Sequence, residues 1–233
     1  LKEILPEDLL SISNKIYEKE GKKFNVWNSF GLDKNDTDLG VVNNKLKGIP
    51  FGAKDIFNTK SFPTEMGSPI WSNYYASNNA RTIDNLICSG AHIVGKTVTA
   101  EFAVHELNET LNPHDITKTP GTSSSGSAVA VQIGNVPFAL GSQTAGSIMR
   151  PASFCGVWGF KPSFGLIPRT GVLKTTDTLD TIGILSSHGK NFREIFDVIR
   201  VKGPNYPFVN KNIDQKNHSR KRFKVGLIKT HLW

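Results

Sequence analysis

The sequence predicts an α/β fold. Two observations carry that prediction: short apolar runs of strand composition recur along the chain, and the segments between them repeat apolar residues at helical spacing. Composition is compatible with such a fold. With 233 residues, 38% hydrophobic and 21% charged, the chain has an ordinary globular mixture and the length to bury a sizeable core.

The first helix is predicted over residues 6–19, PEDLLSISNKIYEK. Pro stands at the start, acids follow in the first turn, and Leu9, Leu10, Ile12 and Ile16 fall near one helical face. A strand follows at Pro50–Ile56, then a helix within NARTIDNLICSG that ends at Gly90, then a buried strand in AHIVGKT. TAEFAV and NPHDITKTP read as loops, and SAVAVQIG as a helix of small and branched residues. NVPFALGSQTAGS reads as a strand running into a turn, CGVWGF as a further strand and KPSFGLIPRTG as a loop. NFREIFDVIRV is a helix, with Phe192, Ile195, Phe196 and Ile199 at helical spacing. Residues 203–222 read as a basic connector, and KVGLIK as the beginning of a further strand.

GAHIVGKT, Gly90 to Thr97, has the spacing of a phosphate-binding P-loop. That loop works by following a strand, opening a helix and turning its amides toward phosphate. Here a helix precedes Gly90 and the loop positions are the strand-like Ala91 to Val94, so the context is wrong and Lys96 is expected to be a strand-end lysine.

Composition excludes other classes. Cys88 and Cys155 lack C-x-x-C spacing, so buried free thiols are expected, with neither a disulfide framework nor a zinc site. No apolar run reaches membrane-spanning length and no secretory leader opens the chain, so a cytoplasmic protein without membrane contact is expected. Of the net charge of +8, +5 sits in Lys211 to Lys224, where six Lys/Arg face one Asp. Such a local run reads as a solvated connector, not a nucleic-acid site. There is no G-x-S-x-G elbow, and His105-Glu106 lacks the second His of a zinc protease motif.

The chemistry concentrates in residues 119–163, TPGTSSSGSAVAVQIGNVPFALGSQTAGSIMRPASFCGVWGFKPS. Its Ser and Gly residues pass straight into an apolar helix and strand, so they sit inside a folded domain. They allow close backbone approach and bring hydroxyls and amides together. Read on residues alone, a hydrolase or ligand site and a structural turn both stay open.

This stretch, with PFGAKD upstream, resembles the amidase signature family, serine hydrolases with a Ser, cis-Ser, Lys triad. The resemblance covers residues from about 48 to 185, and the GSQTAGS turn resembles one subgroup. It implies a mixed β-sheet flanked by helices, with residues 1–202 as the N-terminal part of one amidase domain. Residues 223–233 would then begin a C-terminal half that is incomplete here. By position it implies Ser147 as nucleophile, Ser123 as the bridging cis-serine and Lys54 as base. The oxyanion hole would come from the amides of Thr144, Ala145, Gly146 and Ser147, with Ser124 in support. Thr122 stands where the family has Gly, Gln143 and Ala145 where it has Asp and Gly, and Met149-Arg150 where Arg precedes an apolar residue.

A lysine is a base only when neutral, and burial after IPFGA would disfavour its charge. Strand alternation should send Asp55 to the opposite face. The expected activity is hydrolysis of a small-molecule amide through an ester on Ser147, with no cofactor and no metal. The alternatives are the glutamine-hydrolysing subunit of a tRNA-dependent amidotransferase, the one reading with a nucleic-acid partner, and a catalytically silent binding protein. A homodimer is compatible with either.

Overall fold

The computed structural model describes residues 6–31 and 43–202; the connector at 203–222 and the segment 223–233 lie outside the described residues. Helix α1 (Pro6–Ile16) passes into a wider turn at Tyr17–Gly21, so the predicted helix keeps its place but tightens its α-helical part. Strand β1 (Trp27–Phe30) was not marked by the sequence, because WNSF is too short and too polar for a period-2 signal. Strand β2 (Pro50–Lys54) stops two residues before its predicted end. Helix α2 (Arg81–Ile87) and strand β3 (His92–Thr97) follow as expected. Helix α3 (Ser125–Gln132) starts two residues ahead of its predicted position, inside the serine run.

Strand β4 (Phe138–Gln143) leads into helix α4 (Met149–Cys155), hidden in the sequence by its brevity and by Pro151. Pro is tolerated in a first helical turn, where its missing N–H has no partner to lose. Strand β5 (Trp158–Phe160) is followed by strand β6 (Thr181–Ser186), also unmarked, and helix α5 (Asn191–Ile199) closes the described fold.

The six strands form one mixed sheet in the order β1-β3-β2-β4-β6-β5. Strand β2 runs parallel to both its neighbours, while the outer pairings are antiparallel. Helices cover both faces, as parallel strands require. On one face Phe51, Phe138, Leu140 and Ile184 pack with Leu86 of α2 and Ile195 of α5. On the other, Ala139 and Leu185 pack with Val129 and Val131 of α3 and Ala152 of α4. The alternation along β4 assigns each side chain its layer. Burial of each large apolar side chain contributes about 1.5–3 kcal/mol.

Two glycines are demanded by close contacts. A Cβ on Gly126 would lie 2.5 Å from Val26 O and Val98 N, so only glycine lets α3 begin against these backbones. Gly95 has φ +154, and a Cβ there would overlap Ser29 O. It follows a bulge: Phe51 pairs with Ile93 but Gly52 pairs with Gly95, leaving Val94 without an opposite residue.

Lys96 stands near the end of β3, as expected, but its side chain does not reach solvent. It is fully buried, 2.9 Å from the Asp55 carboxylate, and donates to Thr64 Oγ1 at 2.8 Å and to Pro63 O at 3.1 Å. Asp55 Oδ2 accepts from Asn28 Nδ2 and from the Glu65 amide. Lys96→Met would leave Asp55 buried without its cation. We expect it to lower stability by about 3–5 kcal/mol, measured as the urea midpoint, with Asp55→Asn added to Lys96→Met recovering much of the loss. An unchanged midpoint in Lys96→Met would show that the pair is not buried in solution.

Candidate active site

Lys54 ends β2 with its side chain fully buried. Its Nζ donates to Ser123 Oγ at 2.7 Å and to Ser142 Oγ at 2.8 Å, and among the described residues no carboxylate forms an ion pair with it. Burial lowers the pKa of the ammonium from 10.5 to about 7, against a smaller upward pull from Asp180. At neutral pH a large share of Lys54 is therefore a free amine with a lone pair, and the Ser123 hydroxyl is the group placed to give it a proton. Asp55, the next residue, turns to Lys96, as strand alternation requires.

The serine run is wired residue by residue. The Thr122–Ser123 peptide bond is cis, and Ser123 O accepts from the Ala100 amide at 3.3 Å. Ser124 N donates to Ser147 O at 3.3 Å, and Ser124 Oγ donates to Ser142 O at 3.2 Å. Ser125 Oγ bonds the side chain of Asn108, while Ser127 Oγ donates to Leu140 O at 2.9 Å and meets Thr97 Oγ1 at 2.7 Å. These contacts tie the start of α3 to β3 and β4.

Ser147 lies in the turn between β4 and α4, 5% exposed. Its carbonyl joins it to Ser124, but its hydroxyl takes part in none of the hydrogen bonds of the described residues. Lys54 and Ser123 are thus in direct contact, and Ser147 is joined through its backbone to Ser124, the next residue of the serine run. Catalytic hydrogen bonds are often long before substrate enters.

The turn itself is pinned at both ends. Gln143 Oε1 accepts from the amides of Ile148 at 2.8 Å and Met149 at 2.9 Å, which caps the start of α4. Thr144 Oγ1 donates to Asp180 Oδ1 at 2.6 Å. Between these anchors, the hydrogen bonds of the described residues use none of the amides of Ala145, Gly146 and Ser147. Three adjacent unused amides next to a serine are suited to hold a developing oxyanion.

Three participants escaped the sequence reading. Ser142, the second partner of Lys54, sits in the quoted GSQTAGS but has the same type as its many serine neighbours. Gln143 was visible only as a departure from a pattern, and the TTDTLD segment holding Asp180 carries no motif or periodicity that marks it. Among the described residues, no group of three His, Cys, Asp or Glu gathers as a metal site, and no helix is long and apolar enough to cross a membrane.

A model of the amidase family matches residues 27–233. The chain is 40% identical over 204 residues to one subunit of the glutamyl-tRNA(Gln) amidotransferase of Lactobacillus gasseri, covering 84% of this chain and 43% of that protein. The crystal structure of the corresponding amidotransferase subunit from Thermotoga maritima superposes with a TM-score of 0.77 at 30% identity, over 87% of this chain and 45% of that one. Native peptide amidase from Stenotrophomonas maltophilia shares the fold, with a TM-score of 0.75 at 24% identity, over 88% of this chain and 46% of its own. The chain spans less than half the length of these relatives.

The burial of Lys54 has a thermodynamic signature independent of any substrate. Below about pH 7 it is charged whether folded or unfolded, and the folded state bears the whole desolvation cost. Between about 7 and 10.5 the unfolded chain holds the extra proton, so stability rises with pH by about 1.4 kcal/mol per unit from this residue. Above 10.5 that slope ends. Lys54→Met should remove the slope and stabilise the protein most below pH 7. Urea melts of both proteins across this range test it, and parallel pH dependences would contradict a desolvated lysine.

Proposed function

The chain belongs to the amidase family, and from that premise we propose that it carries the catalytic core of an amide hydrolase working through an ester on Ser147. The observation that supports this most is the buried Lys54 Nζ, 2.7 Å from Ser123 Oγ and without a paired carboxylate among the described residues. A structural lysine gains nothing from such isolation, whereas a base needs it.

In this reading Ser147 Oγ attacks the amide carbonyl carbon. Its proton passes to Ser123 Oγ as the Ser123 proton passes to Lys54 Nζ, so one hydroxyl both gives and receives. Negative charge collects on the carbonyl oxygen, where the amides of Ala145, Gly146 and Ser147, with that of Thr144 at the edge of the turn, receive it. Each such donor is worth about 2.7–4 kcal/mol in related chemistry. Collapse of the tetrahedral intermediate breaks the C–N bond, and the proton on Lys54 returns through Ser123 to the departing nitrogen. Water then attacks the Ser147 ester through the same relay run again. Ser124 supports the geometry by tying Ser142 and Ser147 to the cis-serine loop.

A second reading concerns the amide. The 40% identity to a glutamyl-tRNA(Gln) amidotransferase subunit favours glutamine as substrate, with the ammonia used by an assembly that handles charged tRNA. Glutaminase activity rising with partner subunits and charged tRNA would select it; turnover of simple amides by this protein alone would select the free amidase. A cytoplasmic setting fits both, since Cys88 and Cys155 are free thiols.

A serine-directed phosphonate should label Ser147, and Ser147→Ala should abolish labelling. Ser123→Ala and Lys54→Ala should each leave slow residual turnover, since members of a relay act as a unit. With neutral Lys54 as base, kcat/KM should rise with pH through one ionisation near 7. An adduct mapped by mass spectrometry to any other serine would overturn the assignment.

A further inference from the structure

Asp180 is a carboxylate that the relay does not use, yet it is built into the site. It stands immediately before β6, 7% exposed, and gathers donors from three threonines. Thr144 Oγ1 reaches Oδ1 at 2.6 Å, Thr176 Oγ1 reaches Oδ1 at 2.9 Å, and Thr175 Oγ1 reaches the same oxygen at 3.0 Å. The amides of Thr175 and Thr176 both point at Oδ2. A carboxylate accepts in this number only when ionised. Burial alone would raise its pKa, but the bonds from Thr144, Thr176 and Thr175 outweigh that and hold it at about 2.

Two consequences converge on the catalytic turn. Thr144 is the first residue after β4, so its bond to Asp180 fixes where the turn leaves the sheet, three residues before Ser147. Asp180 and Ser142 also line one small cavity, which puts this fixed negative charge on the side of the Lys54 partner.

We propose that Asp180 is a positioning residue for amide hydrolysis: it anchors the nucleophile turn through Thr144 and sets the electrostatic field in which Lys54 exchanges its proton. This inference rests on the hydrolase reading above. The other charged side chains around the site are Asp55, Lys96, Arg169 and Arg150. Asp55 and Lys96 pair with each other on the opposite face of β2. Arg169 lines the same cavity but donates to the carbonyls of Thr176 and Asp177, and it stacks over Phe164. The guanidinium of Arg150 of α4 lies beside Gly146 of the turn. Ser123, Ser142 and Thr144 contribute no charge. The proton affinity of Lys54 should therefore follow Asp180 alone among the acids of the site, in the direction of a stabilised ammonium.

The test separates the anchor from the field. Asp180→Asn removes the charge and keeps the size; Thr144→Val removes the donor and keeps the charge. Lys54 ionisation is followed directly by NMR of protein labelled with 13C at lysine Cε, its signal identified by loss in Lys54→Arg. In Asp180→Asn the midpoint should fall by about half a pH unit or more, and the acid limb of kcat/KM should fall with it. In Thr144→Val the midpoint and the limb should stay in place while kcat drops about tenfold with little change in KM, and Thr144→Ser should restore kcat. A scaffolding role alone would leave the Lys54 midpoint unmoved in Asp180→Asn, and that result would overturn the field. Full kcat in Thr144→Val would overturn the anchor. If the midpoint moves as expected while the wild type turns over no amide, the hydrolase reading fails and the electrostatic link between Asp180 and Lys54 stands.

Discussion

A primary amine that no carboxylate pairs with among the described residues, shut off from water at the end of a sheet strand, is the constraint around which the rest of this structure is arranged. Desolvation on this scale is unfavourable for an ammonium, and the protein meets it with two hydroxyls instead of a carboxylate. To deliver those hydroxyls at 2.7 and 2.8 Å, β4 must lie beside β2 and the serine run must fold back over both. The parallel β2 and β4 pairing, the tight seating of Gly126 and the bonds from Ser124 and Ser127 to β4 all serve that one approach.

The turn after β4 solves a different problem. A backbone amide left free inside a protein is costly unless something else holds its chain in place. Gln143 on one side and Thr144 with Asp180 on the other do the holding with side chains, and so leave the amides between them uncommitted. The carboxamide of Gln143 caps α4 without adding a second negative charge near Lys54. That is a physical reason for Gln at a position where the family resemblance implied Asp.

Legibility followed the range of the interactions. Lys54, Ser123, Ser124 and the turn 144–147 could be singled out only through the family resemblance that the contiguous runs PFGAKD, GTSSSGS and GSQTAGS carry; residue types alone left a structural turn equally open. Helices α2 and α5 and strands β3 and β4 were readable because their apolar periodicity is set by the face they bury. Strand β1, helix α4 and strand β6 were not: β1 has only four residues, α4 carries Pro151 in its first turn, and β6 is set by its pairing with β4, remote in sequence. Asp180 belongs with these: only the pairing of β6 against β4, Gln143 opposite Thr181, carries it to Thr144. Lys96 shows the converse, a motif complete in spacing but set in a strand, whose lysine is held in a structural ion pair.

The bulge at Val94 has a meaning beyond the shape of β3. Carrying the Phe51–Ile93 register onward without it would set Lys96 directly opposite Lys54, and residues opposite each other in a sheet share a face. Two ammonium groups would then compete for one dry compartment. The extra residue moves Lys96 to the side of Ala53 and Asp55, and the sheet becomes an insulator with one lysine on each side: one salt-bridged, the other free to lose its proton. Strand parity here works as circuit layout, and a one-residue deletion in GAHIVGKT would cross the wires without touching any residue of the site.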